Sequence, residues 1–447
     1  MSVAKLKTLL PLTLAFVSCA ASPGRDAPRA TRPERAGAAD AGMPERATST
    51  DRNAASEEEA VTKTAHRGPA TFDDDLAFLN AHGKMIVLTD ADGGSVALSA
   101  LYQGRVMTSA VSTSGRSLGW INRSFISAGK TGTQFDNFGG EDRFWLGPEG
   151  GQYGLYFAPG KPFTFDEWQT PRPMQEGAWD VADQKPDRVV FRKSMTVTNW
   201  SKTDLSVDVE RTARLLSRVD ARSMLGLVDA PAKGVGFVAY ETKNRITNAG
   251  KAPWRKDTGL VSIWILAMFA PAGDARVVIP FEKKKGAGAE IVNDRYFGKV
   301  PADRLAVHED AGFLSFKCDG KVRGKIGVGP SRARNVLGSY SAEGRLLTIV
   351  QYDGPKKGAP YVNSMWEEQK DPYAGDVVNA YNDGPPAPGK PPLGGFYEIE
   401  TSSPAAELAP GKELVHTHRT FHFVGDAAAL EPIAKKVLGV SLDEIAK

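Results

Sequence analysis

The sequence predicts an all-β protein, built as one large sheet sandwich with a short helical appendage at its C-terminal end. Three observations support this prediction. Many short segments either alternate between apolar and polar residues or are continuously apolar, and both patterns are typical of strands. Glycine, proline, asparagine and aspartate turns separate them at short spacing. No repeat of the propeller or solenoid kind is present, so one sandwich is the simplest architecture.

The clearest strand candidates are residues 85–89, 95–100, 104–112, 205–210, 260–269, 345–352, 394–400 and 414–424. Gly93 and Gly94 mark a hairpin turn after the first of them. Residues 205–210 alternate strictly, as a half-solvated strand does. Residues 260–269 are continuously apolar and lie between a glycine and a proline, which favours a strand covered on both faces over a helix.

The C-terminal end carries the one strong helical pattern in the sequence. Leu430, Ile433 and Val437 have the spacing of one helix face. Ser441 and Glu444 have the spacing of a capping box, which marks the start of a further helix. These residues predict a peripheral helical segment.

The N-terminal end has the pattern of a targeting segment. Lys5 and Lys7 precede the apolar run 9–17, which is too short to span a bilayer. The run ends in the letters FVSC at residues 16–19, which resemble the lipobox of bacterial lipoproteins. That resemblance implies that Cys19 becomes the lipidated first residue of the mature chain. An ordinary cleaved signal peptide is the alternative.

The sequence therefore predicts four regions. Residues 1–18 are a lipoprotein-type signal peptide, and residues 19–68 are a disordered tether, which has no Leu, Ile, Phe, Tyr or Trp between Ala20 and Ala65. Residues 69–426 form the β-sandwich, and residues 427–447 form the helical segment. The protein is expected in the bacterial cell envelope as a periplasm-facing lipoprotein. The outer membrane is preferred, because the residue after the cysteine is not acidic.

Charge and cysteine content exclude some classes of protein. The chain has 56 basic and 53 acidic residues, and no basic patch interleaved with aromatic residues, so no nucleic-acid partner is expected. Apart from Cys19, the only cysteine is Cys318, whose alternating surroundings predict a buried thiol that serves packing. No disulfide is expected.

The first candidate site lies in a glycine-rich stretch, residues 137–160. Strand periodicity places Arg143 and Trp145 on one face, and the turn that follows would present Glu149 on an open rim. A guanidinium and a carboxylate beside an indole ring suit a sugar, whose C–H face stacks on the ring. The alternative is an Arg–Glu pair that only holds the turn over a packed tryptophan.

The second candidate site lies between residues 394 and 426. Glu398 and Glu400 share one strand face, and His416, His418 and His422 share one face of the next strand. If these strands pair, the carboxylates lie beside the imidazoles, as general acid–base catalysis requires. The expected catalytic residues are Glu398, Glu400 and His418, with His416 as a ligand-binding residue.

Two alternatives remain open for the histidine row. It is either a structural row that bonds to neighbouring strands or, with less support, part of a zinc site. No metal or other cofactor is expected as the main prediction. Asn379 and Asn382, in a segment rich in amides and turn residues, are further ligand-binding candidates, although an ordinary loop explains them as well.

Two resemblances extend these predictions. The stretch FGGEDRFWLGPEGG at residues 138–151 resembles an uncharacterised bacterial secreted family, and that likeness covers most of residues 69–426. The strand glutamate followed by LAPGKEL at 408–414 resembles the C-terminal end of aldose 1-epimerase and related galactose-mutarotase-like domains. This second resemblance implies a galactose-mutarotase-like β-supersandwich with a sugar-sized groove, and places a catalytic base at Glu398 or Glu400.

The functional prediction is an envelope-anchored protein that binds or modifies a carbohydrate. Its partners would be a carbohydrate ligand and, through the lipid anchor only, a membrane. The alternatives are a non-catalytic binding or scaffolding lipoprotein, and a glycan hydrolase or lyase that uses a carboxylate pair such as Glu149 and Glu400. Whether a reaction is catalysed, and the oligomeric state, are left open.

Overall fold

Two large antiparallel sheets pack face to face in the computed structural model, which describes residues 70–232, 234–283 and 290–447. The strands are β1 Ile86–Thr89, β2 Ser95–Ser99, β3 Arg105–Ala110, β4 Arg143–Gly147, β5 Asp180–Lys185, β6 Arg188–Thr198, β7 Asp204–Leu215, β8 Gly236–Asn248, β9 Ser262–Phe269, β10 Arg276–Pro280, β11 Leu305–His308, β12 Phe313–Lys317, β13 Gly324–Val328, β14 Val336–Ser341, β15 Leu346–Tyr352, β16 Val378–Asn382, β17 Tyr397–Ser402 and β18 Glu413–Val424.

The strands form three sheets, and every pair within them is antiparallel. The largest has ten strands in the order β11-β12-β10-β14-β15-β18-β8-β7-β6-β5. The second has five strands in the order β13-β16-β17-β9-β4, and the third is the meander β1-β2-β3. The prediction of an all-β sandwich is confirmed.

Helices in the described residues are short and lie beside the sheets. They are α1 Phe72–His82, α2 Arg123–Ala128, α3 Arg172–Gln175, α4 Arg218–Leu225, α5 Ala427–Val437 and α6 Leu442–Ala446, with a 3₁₀ turn at Phe165–Glu167. Sequence patterns did not reveal α1, although its N-terminus has a sequence signal. The Thr71 side chain caps Asp74 N, and the Asp74 carboxylate bonds back to the Thr71 backbone, which is a capping box.

The two large sheets share one core, because alternate side chains of their strands point into the space between the sheets. Ile265 on β9 and Ile399 on β17 point inward from the five-stranded sheet, and they belong to apolar clusters that also contain residues of the ten-stranded sheet. All eight residues of β9 are buried, so the prediction of a strand covered on both faces is confirmed. In β7 buried and solvated residues alternate, as predicted.

The C-terminal helices cover the other face of the ten-stranded sheet. Leu430 and Ile433 of α5 share an apolar cluster with Phe421 and Phe423 of β18, and Ile445 of α6 extends it. The capping box between Ser441 and Glu444 is present at the start of α6. The predicted helical appendage is therefore observed, and its apolar face is part of the core.

One predicted strand pairing is wrong. The sequence suggested that the strand with Glu398 and Glu400 lies beside the strand with the histidines. Instead β17 pairs with β16 and β9, whereas β18 pairs with β15 and β8. The two strands belong to different sheets, because the connection between them crosses the sandwich rather than turning back as a hairpin.

The predicted signal peptide, tether and Cys19 lie outside the described residues. Every described residue falls within one unit, Arg67–Lys447. No helix among the described residues is long and apolar enough to cross a membrane. Cys318, directly after β12, is fully buried, and burial raises the pKa of its thiol, in keeping with a packing role.

Candidate functional site

The outer face of the five-stranded sheet carries a row of polar residues in register. Arg143 on β4 lies opposite Leu266 on β9, which lies opposite Glu400 on β17, and Glu400 lies opposite Asn379 on β16. The next row contains Glu398, opposite Tyr381. Because side chains alternate along each strand, both rows point away from the sandwich core.

Lys325 on β13 completes the second row, opposite Tyr381. The floor of a pocket is formed by Arg143, Leu266, Glu398, Tyr381 and Lys325 of these rows, and mostly aromatic side chains from loops form its walls. The cavity between floor and walls has a volume of about 50 Å³. The wall residues are Phe135, Phe165, Trp168, Phe297, Trp366, Leu393 and Phe396.

Two buried ion pairs lie on the floor. Arg143 donates a hydrogen bond from Nη2 to Oε1 of Glu398, and both side chains are nearly inaccessible to solvent. Lys325 Nζ lies 3.0 Å from Oε2 of Glu400. The indole N–H of Trp264 donates to the same Glu400 oxygen at 2.8 Å. Each carboxylate thus has a cation beside it, as buried charges require.

Polar atoms on this floor remain without partners among the described residues. They are Nε and Nη1 of Arg143, the indole N–H of Trp145 and Oε1 of Glu400. Leaving a buried donor or acceptor without a hydrogen-bond partner costs about 1–3 kcal/mol for each group. Arg143 and Trp145 line the pocket, so the unpartnered atoms of these two side chains favour a ligand that bonds to them.

Glu149 is buried in the pocket wall and does not stand on an open rim. Its Oε1 accepts a hydrogen bond of 2.9 Å from the Trp168 indole, and its backbone N–H donates to Ser364. Burial raises the pKa of Glu149, while the charges of Lys325 and Arg323 oppose this. The turn after β4 is folded back under the loop that carries Ser364, which covers the expected rim.

The glycines of the stretch make this close packing possible. Gly139 and Gly140 have φ values of 82° and 113°, which L side chains rarely adopt, and they lead the chain into β4. A Cβ on Gly150 would lie 2.4 Å from the carbonyl oxygen of Met365. Gly150 therefore lets the loop that holds Trp366 press against the turn.

Trp145 lies in the floor, and neighbouring side chains of the protein pack against its ring. The Arg143 Cζ lies 4.2 Å from the centroid of the Trp145 ring, and Trp264 and Tyr156 pack against other sides of it. The expected sugar-stacking face of Trp145 is thus covered by its own neighbours. Phe297 and Trp366 at the mouth are only half-buried, so these two rings keep part of their surface exposed.

Charge and burial shift the proton affinity of the floor groups. Burial raises the pKa of Glu398 to about 7; the charge of Arg143 opposes this, and that of Glu400 adds to it. For Lys325, burial lowers the pKa, but Glu400 and Glu149 outweigh this and the net change is a raised pKa. Glu398 can therefore take up or release a proton near neutral pH, while Lys325 remains a fixed cation.

The histidine row lies on the other side of the five-stranded sheet. Thr401 Oγ1 lies 2.8 Å from Nε2 of His416 and 2.9 Å from Nδ1 of His418, between the two sheets. Thr401 alternates with Glu400 along β17, so these imidazoles and the carboxylates point in opposite directions. The structure therefore does not bring His416 or His418 together with Glu398 and Glu400.

The third histidine of the row, His422, is also interior. Its Nδ1 lies 2.8 Å from Thr348, and its Nε2 lies 2.6 Å from Oε1 of Glu141. The described part of the chain contains no group of three His, Cys, Asp or Glu side chains that could hold a metal ion.

The two predicted amides are also in different places. Asn379 lies at the pocket side of the sheet, where its amide donates to Tyr296 and to the carbonyl of Ile326. Asn382 points the other way and bonds to the backbone of Val322 and Gly320. Asn379 thus borders the site, whereas Asn382 holds a turn.

Sequence reasoning missed the cations on one short strand and a floor tryptophan. Lys325 and Arg323 stand two residues apart at the edge of a glycine-containing strand, GKIGV, whose apolar positions are too few to reveal a period. Trp264 was hidden within the continuously apolar β9. A lysine inside a short buried strand is rare enough to have served as a signal.

Known proteins of similar structure are galactose-mutarotase-like, the class that the sequence resembles. A galactose mutarotase-like protein from Lactobacillus casei has a TM-score of 0.42 and 11% identity, covering 76% of this chain and 100% of that chain. A galactose mutarotase related enzyme from Lactobacillus acidophilus has a TM-score of 0.41 and 10% identity, covering 76% and 98%. Similarity at this level carries no conclusion about function.

Sequence comparison gives a more definite result for family than for activity. No curated protein matches the sequence. The model of a family of unknown function, DUF6786, matches residues 70–447, which is most of the chain. The chain belongs to this family of unknown function, DUF6786.

Proposed function

We propose that the pocket on the outer face of the five-stranded sheet binds a saccharide, and that Glu398 exchanges a proton with it. The observation that supports this best is the combination of unpartnered polar atoms on the floor with aromatic rings at the mouth. Sugars need hydroxyl partners and an apolar surface for their C–H face together.

In this proposal the mouth of the pocket provides stacking, and the floor provides hydrogen bonding and proton transfer. Trp366 and Phe297 supply stacking surface where the pocket meets solvent. Arg143 supplies unpartnered N–H donors for hydroxyl groups. Glu398, bonded to Arg143 and with a pKa near neutrality, has the properties of a group that transfers a proton to or from the ligand.

Calorimetric titration with a panel of mono- and disaccharides tests the binding proposal. We expect at least one saccharide to bind, and Trp366→Ala to weaken it about tenfold or more, because truncating an aromatic anchor commonly costs more than about 1 kcal/mol. Trp200→Ala is the matched control, since Trp200 is also half-buried but lies outside the pocket. Binding of no saccharide, or equal losses in the two variants, contradicts the proposal.

The step from binding to catalysis depends on Glu398. Glu398→Gln keeps a hydrogen-bond acceptor for Arg143 but has no titrating proton. If the site is of the epimerase type, this variant binds the saccharide with unchanged affinity and loses the interconversion of anomers seen by NMR. If wild-type protein binds a saccharide and leaves its anomers and linkages unchanged, the site is a binding site, and the catalytic part of the proposal is wrong.

We also propose that the protein is anchored in the bacterial cell envelope by lipid on Cys19. The support is the lipobox-like sequence at residues 16–19 after a short apolar run. Wild-type protein is then expected in the membrane fraction, with Cys19→Ser protein released or unprocessed. The anchoring proposal is wrong if both proteins fractionate as soluble species of equal size.

A further inference from the structure

One cation in the pocket has no carboxylate to balance it. Arg143 is paired with Glu398, and Lys325 is paired with Glu400. Arg323 also lines the pocket, yet among the described residues no Asp or Glu oxygen lies within ion-pair distance of its guanidinium. The floor pairs are therefore complete without Arg323, and its charge is available to a ligand.

The third carboxyl of the pocket does not take this role. Glu149 is held by the indole N–H of Trp168 at 2.9 Å. Burial raises the pKa of Glu149 above its usual value, so the folded protein favours the neutral form more than a free glutamate does. Arg323 and Glu149 face the same pocket without forming an ion pair.

Aromatic rings hold the Arg323 guanidinium at the mouth of the pocket. Its Cζ lies 3.6 Å from the centroid of Phe297, 5.4 Å from that of Phe165 and 5.8 Å from that of Trp366. A guanidinium stacked on a ring keeps its N–H groups in its own plane, directed sideways. The buried Nε of Arg323 has no hydrogen-bond partner within the described ranges.

Strand geometry gives Arg323 a fixed position relative to the floor. It stands two residues before Lys325 and directly before β13, and both side chains lie on the pocket face of the sheet. Lys325 is buried on the floor, whereas Arg323 is half-buried among the mouth aromatics. A ligand that stacks at the mouth therefore meets Arg323 at its edge.

Building on the proposed saccharide site, we propose that its ligand is an acidic saccharide with a carboxylate group, a hexuronic acid or its glycoside, and that Arg323 selects it. A planar guanidinium fork matches a planar carboxylate through two parallel hydrogen bonds, and stacking preorganises the fork. A sulfate group on a sugar offers similar oxyanion chemistry and is the closest competitor.

Matched sugar pairs test this inference by calorimetry. Glucuronate and galacturonate differ from glucose and galactose in bearing a carboxylate in place of a hydroxymethyl group. We expect wild-type protein to bind a uronate about tenfold or more tightly than its neutral partner, because a hydrogen bond to a charged group is stronger than one between neutral groups. Glucose 6-sulfate is the third arm, and tighter binding of the sulfate than of both uronates overturns the choice of carboxylate.

Two Arg323 variants and one control separate recognition from folding. Arg323→Met keeps a long apolar stem against Phe297 and is expected to lower uronate affinity about tenfold while changing neutral-sugar affinity less than about twofold. Arg323→Lys keeps the charge without the fork and should be intermediate. Arg255→Met removes an exposed arginine outside the pocket and should have no effect.

The outcomes distinguish this inference from the function on which it rests. If neutral sugars bind as well as uronates, or if Arg323→Met weakens both classes equally, the role of Arg323 is wrong and the saccharide site stands. If no sugar of either class binds to wild-type protein, the proposed function itself is wrong. If Arg323→Met does not fold, the comparison of Arg323→Lys with wild-type protein decides the question in the same way.

Discussion

At the scale of single residues, Arg143 links the candidate site to the stability of the sheet. Its side chain is 3% exposed and bonds to Glu398, whose side chain is 7% exposed. Breaking a buried ion pair by removing one partner typically costs about 3–5 kcal/mol. Folding therefore depends on a residue of the proposed ligand site, and a loss of binding in an Arg143 variant is to be compared with its loss of stability.

The first prediction concerns the stability of Arg143→Ala as a function of pH. We expect a loss in the free energy of unfolding of about 3–5 kcal/mol at pH 8, where Glu398 without Arg143 must either stay an unpaired buried anion or take up a proton from solution. The loss should be smaller at pH 5, because the pKa of Glu398 is already raised to about 7 and rises further without the arginine. Urea unfolding at both pH values measures this difference.

The exposed Arg255 provides the control, because its side chain is 64% exposed. Arg255→Ala should change stability by less than about 0.5 kcal/mol at either pH. An Arg143→Ala protein that is as stable as wild type at pH 8 would show that the buried pair contributes nothing.

His416 and His418 predict a second dependence on pH, with the opposite sign. Thr401 has one hydroxyl hydrogen, so it can donate to one imidazole and accept from the other when both rings are neutral. Burial lowers the pKa of His416 to about 3 and that of His418 to about 4, the charge of His418 adding to the effect on His416. Their contribution to stability is present above about pH 6.5 and is lost as pH falls towards 4.

Denaturant unfolding between pH 8 and pH 4 checks this second prediction. We expect His418→Gln to lose less stability over that interval than wild-type protein does, because one group that must be charged on unfolding has been removed. His82→Gln is the control, since His82 is exposed on α1. Glu398 acts in the other direction, since the stabilisation from its raised pKa is present below about pH 4.5 and lost as pH rises through about 7. Equal slopes for wild-type and His418→Gln proteins contradict the prediction.

At the scale of secondary-structure elements, the sequence predicted the positions of the strands better than it predicted which strands pair with each other. The predicted strands were found because alternation and continuous apolar runs depend on local burial. That β17 and β18 belong to different sheets could not be predicted, because the connections of a sandwich can carry the chain from one sheet to the other. Because of this one error, His418 was expected in the candidate site, whereas it lies between the two sheets.

In the candidate site too, local sequence patterns identified residues, but contacts with distant parts of the chain could not be predicted. Arg143, Glu149 and Glu398 line one pocket, and Glu400 is paired with Lys325 of the same pocket. Each of these four lies in a segment that the sequence singled out. Their burial was not predictable, since the loop that covers Glu149 comes from more than 200 residues away along the chain. Arg323 escaped notice for the same reason, because its aromatic neighbours come from three separate loops.

The third prediction concerns α5, whose apolar face seals one side of the ten-stranded sheet. Leu430 is fully buried against that sheet. We expect Leu430→Ala to lower the free energy of unfolding by about 2–5 kcal/mol, as for other large-to-small substitutions in a core. Lys436→Ala, at an exposed position of the same helix, should change it by less than about 0.5 kcal/mol. Thermal melting of the two variants measures the contrast, and equal melting temperatures would mean that the helix is not part of the core.

At the scale of the whole molecule, the fourth prediction is that limited proteolysis leaves one resistant core. The described residues belong to one unit and share apolar clusters that cross both large sheets. The segment before residue 69 has the composition of a disordered tether and should be removed first. Mass spectrometry of the digest identifies the boundary, and two stable fragments of similar size would contradict a single sandwich.

The strand order of the ten-stranded sheet has a consequence for synthesis. β18 lies between β15 and β8, so the last strand of the chain joins the two halves of that sheet. While the ribosome has not yet released residues 413–424, β8 and β15 each present an unpaired backbone edge to the surroundings. The two halves of this sheet therefore cannot pair with each other until β18 has been synthesised. Shortened products that end before β18 should depend on chaperones and aggregate readily.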